Sequence, residues 1–189
     1  MLDSEEYFHL ALHATQQGLH HSAMEYLYKC LEQEPENANA IFLLAAEHAE
    51  LGLYKRAIEG MKKSIELDEK LDMAYYQLAL LYLQQGNEAE SYPLWQHMSL
   101  QSPDPAIREF AQGMLIFESA PENALIHFDK ALAMPQQNDF LQKSMSKIID
   151  NLRAVSINFT KPGTANDDSV SEILVNTYKD SSFNRDDNE

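Results

Sequence analysis

Four histidines near the start of the chain are the first residues whose spacing suggests chemistry. His9 and His13 stand four apart, and His20 and His21 follow closely. Two histidines at that spacing on one helix can share a metal ion. The residues between them, Leu10, Ala11 and Leu12, supply no glutamate base, and no third ligand is evident. They therefore read as polar surface residues, with a histidine-based metal sensor as the weaker alternative and no metal assigned. Cys30 is the single cysteine, which excludes a disulfide framework and a multi-cysteine zinc site. It falls on an apolar helical face, where a thiol without a positive neighbour is inert. His48 stands among apolar residues and is expected to be partly buried and hydrogen-bonded. There is no glycine-rich phosphate loop and no Gly-x-Ser-x-Gly elbow. The carboxylates are scattered along what read as solvated helix faces. No catalytic residue and no cofactor is assigned, and an enzyme is not expected.

The chain has 189 residues, enough for one domain of ordinary size. Thirty acids against fourteen bases give a net charge of −16. Such a surface repels phosphate backbones and anionic membranes, so neither nucleic acid nor a membrane is an expected partner. Apolar stretches such as Ile41 to Ala46 are too short to span a bilayer. The acidic start, Met1 to Glu6, lacks the basic and apolar parts of a secretory signal. A cytoplasmic location is the expectation that follows.

The elements that position these residues recur. Shifted by 34 residues, Gly18, Gly52 and Gly86 fall in register. So do Leu10, Leu44 and Leu78, then Ala11, Ala45 and Ala79, then Ala23, Ala57 and Ser91, and then Phe8, Phe42 and Tyr76. Each unit reads as two amphipathic helices. In the first, Tyr7, Leu10, Ala11 and Ala14 share one face, and Ala23, Tyr26, Leu27, Cys30 and Leu31 share another. Gly18 permits a left-handed turn between them, and Glu34-Pro35 ends the second helix. One pair cannot bury its own face, so neighbours must stack.

The pattern resembles the tetratricopeptide-repeat (TPR) family, whose period is 34 residues. Tyr7, Leu10, Ala11, Gly18, Ala23, Leu27 and Pro35 carry the resemblance, with their equivalents in the next two units. Cys30, Ser64 and Met98 replace a position that is usually alanine. The resemblance implies an all-α, right-handed α-solenoid of helix-turn-helix pairs over residues 4–154. Its repeats are 4–37, 38–71, 72–105 and a degenerate 105–137, followed by a capping helix at 138–154. Asp104 and Pro105 form an expected N-cap and first helical residue, and Pro121 opens another helix. Residues 156–189 read as a disordered acidic tail. Within the tail, Val170, Ile173, Leu174 and Tyr178 form an apolar island that is either incidental or a docking segment for the protein's own groove.

In that family the first helices of each pair line a concave surface. The resemblance places Phe8, Leu12, Phe42, Ala46, Tyr76, Leu80 and Leu83 there as candidate partner-binding residues. Ala49 and Met73 extend the strip, and Glu5, Glu50 and Gln84 flank it. Some members bind acidic C-termini through a clamp of Lys, Asn and Arg; here those places hold Phe8, Leu12, Leu43, Met73 and Gln77. The expected function is a non-enzymatic scaffold or adaptor holding an apolar peptide or helix of a partner protein. The alternative is a TPR chaperone shielding a hydrophobic secretion substrate, against which stands the absence of a helical extension ahead of the first repeat. Self-association through the solenoid ends is a further possibility.

Overall fold

The computed structural model describes residues 2–135 and 138–159, with side chains to residue 154. Nine α-helices and no strand occur among the described residues. They are α1 (Ser4–Gln16), α2 (His20–Gln33), α3 (Ala38–Glu50), α4 (Tyr54–Leu67), α5 (Asp72–Gln84), α6 (Glu88–Gln101), α7 (Pro105–Ile116), α8 (Pro121–Ala133) and α9 (Asp139–Phe159). The last helix runs past residue 154, where the capping helix was expected to end. From residue 160 onward the expected tail, including the apolar island at 170–178, lies outside the described residues.

Local signals explain several helix ends. Asp3 accepts from the Glu6 amide at 2.8 Å, and Glu6 accepts from the Asp3 amide at 2.9 Å, a reciprocal capping box. Asn37 caps α3 through the Ala40 amide, and Asp104 caps α7 through the Ala106 amide ahead of Pro105. Gly18, Gly52 and Gly86 adopt φ of +67°, +73° and +71°. In each case the following residue donates back five residues: Leu19 to Ala14, Leu53 to His48 and Asn87 to Tyr82, at 2.8–2.9 Å. This is the Schellman closure, and it needs a residue without Cβ strain at the left-handed position.

The chain packs as two compact units that divide within α5, between Leu78 and Ala79. In the first, α1 packs on α2, α3 on α4, and α2 on α3. Ala11, Leu27, Cys30, Ala40 and Leu43 form a buried cluster, with Tyr7, Phe8, Tyr26, Leu31 and Leu44 leaning on it. Small residues let the helices approach closely. At Gly60 on α4, an added Cβ would lie 2.8 Å from the Ala45 Cβ on α3.

In the second unit α7 packs against both α6 and α8, and α8 against α9. A run of rings crosses this core: Trp95 to Phe110 at 5.8 Å, Phe110 to Phe128 at 5.5 Å, and Phe128 to Phe117 at 6.2 Å. These are tilted contacts at distances favourable for aromatic pairs. Gly113 on α7 leaves room for the Phe128 ring, which an added Cβ would overlap. The α5 helix is buried on every side, from Ala74 to Tyr76 and from Leu78 to Leu83. Only Asp72, Gln77 and Gln84 are polar on it, so it has no face suited to water.

Gly113→Ala should lower stability by about 1–3 kcal/mol through overpacking, although alanine favours a helix over glycine by about 0.5–1 kcal/mol. Urea unfolding of both proteins measures this. An unchanged midpoint would mean that the Phe128 ring moves aside freely.

Candidate functional site

The first helices of the pairs in unit one, α1 and α3, are in contact. On α1, Phe8 and Leu12 stand one turn apart on one face; Phe42 and Ala46 do the same on α3. Leu12 is 38% exposed, and Phe8, Phe42 and Ala46 are half-buried. The Phe8 ring leans on the Ala11–Leu27–Cys30 cluster, so it both closes the core and borders solvent. Four of the seven expected residues thus remain open, at least in part, on two touching helices.

The other three do not. Tyr76 is fully buried, and Leu80 and Leu83 are each 5% exposed. The expectation that they face an open groove is corrected. Apolar residues occupy every face of α5, and packing closes them, so the register position that is open at Leu12 is closed at Leu80. Ala49, expected to extend the strip, is also buried.

Charge is segregated on these helices. Neither α1 nor α3 contains a Lys or Arg; their acids are Glu5, Glu6, Glu47 and Glu50. The unit's bases lie on α2, on α4 and in the turn after α4, as Lys29, Lys55, Arg56, Lys62, Lys63 and Lys70. A ligand on the α1–α3 face therefore meets apolar side chains and negative charge.

Beside this strip the structure shows a polar network that the sequence pattern did not reveal. Glu47 of α3 is 1% exposed. Thr15, at the end of α1, donates its hydroxyl to Oε1 at 2.5 Å, and His20, opening α2, donates from Nδ1 to Oε2 at 2.7 Å. One carboxylate thus joins three helices. Both its oxygens are satisfied, which a buried carboxylate requires. The available signal was an acid inside Ala45-Ala46-Glu47-His48-Ala49, but its partners come from another repeat. Together with Thr15, His20 leaves the surface role expected of it; His9 and His13 remain exposed on α1. No group of three or more possible ligands placed to hold a metal occurs among the described residues.

Two neighbours have shifted titration. His48 is 8% exposed, and its Nε2 has no hydrogen-bond partner among the described residues. It was expected to be partly buried and hydrogen-bonded; packing buries it almost fully and leaves Nε2 without that bond. Burial lowers its pKa, the Arg56 guanidinium lowers it further, and Glu47 opposes both. At Glu50 desolvation raises the carboxyl pKa, His20 works against this, and Glu47 adds to it.

The signs of these two shifts are opposite in effect. The His48 contribution to stability is complete above the ordinary imidazole value of 6.5 and is lost as pH falls through the lowered folded value. The Glu50 contribution is complete below 4.5 and is lost as pH rises through the raised folded value. His48→Leu should flatten the loss of stability on the acid side of that imidazole value, and Glu50→Gln should raise the unfolding temperature at neutral pH. Thermal scans across this range measure both. Equal acid slopes for His48→Leu and the parent would assign the acid sensitivity to another group.

The family described as anaphase-promoting complex, cyclosome, subunit 3 (ANAPC3) matches residues 16–92. No protein of curated function matches the chain. Among solved structures, MamA is 22% identical over 68% of this chain and 76% of its own, with a TM-score of 0.57. A second MamA structure, from Desulfovibrio magneticus RS-1, is 16% identical over 94% and 96% of the two chains, with a TM-score of 0.56. A monomeric mutant of IFIT1, solved with m7Gppp-AAAA, is 18% identical over 84% of this chain, with a TM-score of 0.61. This chain spans 40% of that IFIT1 chain. MamA and IFIT1 are both TPR proteins, and at these identities they establish the fold class, an all-α helical-repeat solenoid. With its 34-residue register, its paired helices and its glycine turns, the chain has the helical-repeat fold of these tetratricopeptide-repeat proteins.

Proposed function

We propose that the protein is a non-catalytic interaction scaffold that holds a segment of a partner protein on the α1–α3 face of unit one. Phe8, Leu12, Phe42 and Ala46 supply the apolar contact. The observation that carries this reading is an apolar strip left partly open on two helices that bear acids and no Lys or Arg. Exposed apolar side chains gathered on one face are suited to a partner's surface. The exposed Glu5 and Glu50 beside them favour a segment with positive charge at its edges. A free acidic C-terminus is not such a ligand, because no Lys or Arg stands on α1, α3 or α5 to receive it.

RNA is a partner to test because IFIT1 was solved with m7Gppp-AAAA. The −16 net charge and the absence of Lys and Arg from the first helices α1, α3 and α5 argue against it here, since phosphate binding depends on Lys and Arg. No helix among the described residues is long and apolar enough to cross a membrane.

The test begins with affinity purification of a partner and its identification by mass spectrometry. The double change Leu12→Glu with Phe42→Glu should then weaken that partner's binding more than about tenfold, since each buried side chain contributes about 1.5–3 kcal/mol. Far-UV circular dichroism should be unchanged. Undiminished binding would move the site off this face. In a separate titration, capped RNA at physiological salt should give no saturable anisotropy change; saturation would overturn the exclusion of RNA.

A further inference from the structure

The second helices of the first three repeats present the same four register positions outward, and the third differs from the others. In α2 they are Glu25, Tyr28, Lys29 and Glu32; in α4 they are Glu59, Lys62, Lys63 and Glu66. Both sets carry surface ion pairs, Glu25 with Lys29 at 2.8 Å and Lys63 with Glu66 at 3.4 Å. In α6 the same positions hold Pro93, Gln96, His97 and Leu100. From Ser91 to Pro103 the chain carries no Asp, Glu, Lys or Arg. Tyr92 is 54% exposed and Leu100 is 68% exposed, the highest value among the exposed large apolar residues described.

We infer that this α6 face is a contact between two copies of the chain. The charge distribution selects that occupant. Each copy carries −16, so two copies repel wherever acidic faces meet. An oppositely charged partner would be drawn to the acidic faces and gain nothing from a neutral one. A second copy is the partner for which a charge-free apolar face removes the largest obstacle.

The pattern is also self-complementary. Tyr92, Gln96 and Leu100 lie along one i, i+4, i+8 ridge, about 12 Å from end to end. Two such ridges crossing in opposite directions about Gln96 set Tyr92 of each copy against Leu100 of the other. A two-fold contact requires such self-matching of one patch. At its centre the two Gln96 amides face each other, and an amide both donates and accepts, so the pair can satisfy itself. One helix crossing buries less than a standard interface, so the dimer is weak and concentration-dependent.

Sedimentation equilibrium on the full chain, from micromolar to several hundred micromolar, tests this. The parent should show a monomer–dimer equilibrium that tightens with added sodium chloride, because salt screens the repulsion between copies. Leu100→Glu should weaken dimerisation at least about tenfold, since one change acts twice across the two-fold. Tyr28→Glu, at the α2 position equivalent to Gln96, should leave it unchanged. Leu100 is exposed, so the variant should keep its circular dichroism and melting temperature. A parent that is monomeric throughout, a dimer indifferent to Leu100→Glu, or a dimer that loosens with salt would each overturn the inference.

Discussion

The close approach of helices is the constraint on which the rest of this structure depends. Ala11, Ala23, Ala45, Ala57, Ala79, Ala111 and Ala124 are all essentially without solvent contact. Two glycines go further: there is no room for a Cβ at Gly60 or Gly113 without displacing Ala45 or Phe128. Helices spaced by such small residues bring their backbones near each other and gain dispersion contact along their length. Larger residues then fill the spaces beside them. In the second unit these are Trp95, Phe110, Phe117 and Phe128, which form one continuous run of rings.

Tight packing makes polar atoms in the core costly, and the chain meets that cost locally. Ser91 stands where the earlier repeats have alanine, and its hydroxyl donates to the Ala79 carbonyl at 2.9 Å. Ser64, at another usual alanine position, donates to the Met61 carbonyl at 2.7 Å. Cys30, the equivalent in the first repeat, is buried 3.3 Å from the Ser4 hydroxyl. These three departures from the repeat pattern are each absorbed by a nearby backbone or side-chain partner. Glu47 is the larger case: its carboxylate is satisfied only because α1 and α2 bring Thr15 and His20 to it. Removing one partner of such a buried group costs more than the hydrogen bond alone returns.

The surface is unevenly charged. Repeats that agree in their cores diverge outside. The first helices α1 and α3 carry acids and no Lys or Arg, α2 and α4 carry mixed ion-paired charge, and α6 carries no Asp, Glu, Lys or Arg beyond its first turn. On the proposed reading, these three surfaces suit three kinds of neighbour: a basic apolar segment, solvent, and a like-charged copy. The fold class alone would not separate them, since a repeat specifies shape and leaves recognition to the residues it displays.

The sequence by itself determined where the helices lie and most of what closes α1, α3, α5 and α7 at their ends. Those depend on short-range physics: 3.6-residue periodicity, the left-handed tolerance of Gly18, Gly52 and Gly86, and the caps Asp3, Asn37 and Asp104. Only the tertiary structure decided which apolar residues meet water. Phe8 and Phe42 stay half-open while Tyr76, their equivalent by register, is fully buried. The partners of Glu47 and the closure around His48 were likewise set by helices distant in the chain. The physical reason is that periodicity states which side of a helix is apolar, whereas exposure depends on what is packed against that side.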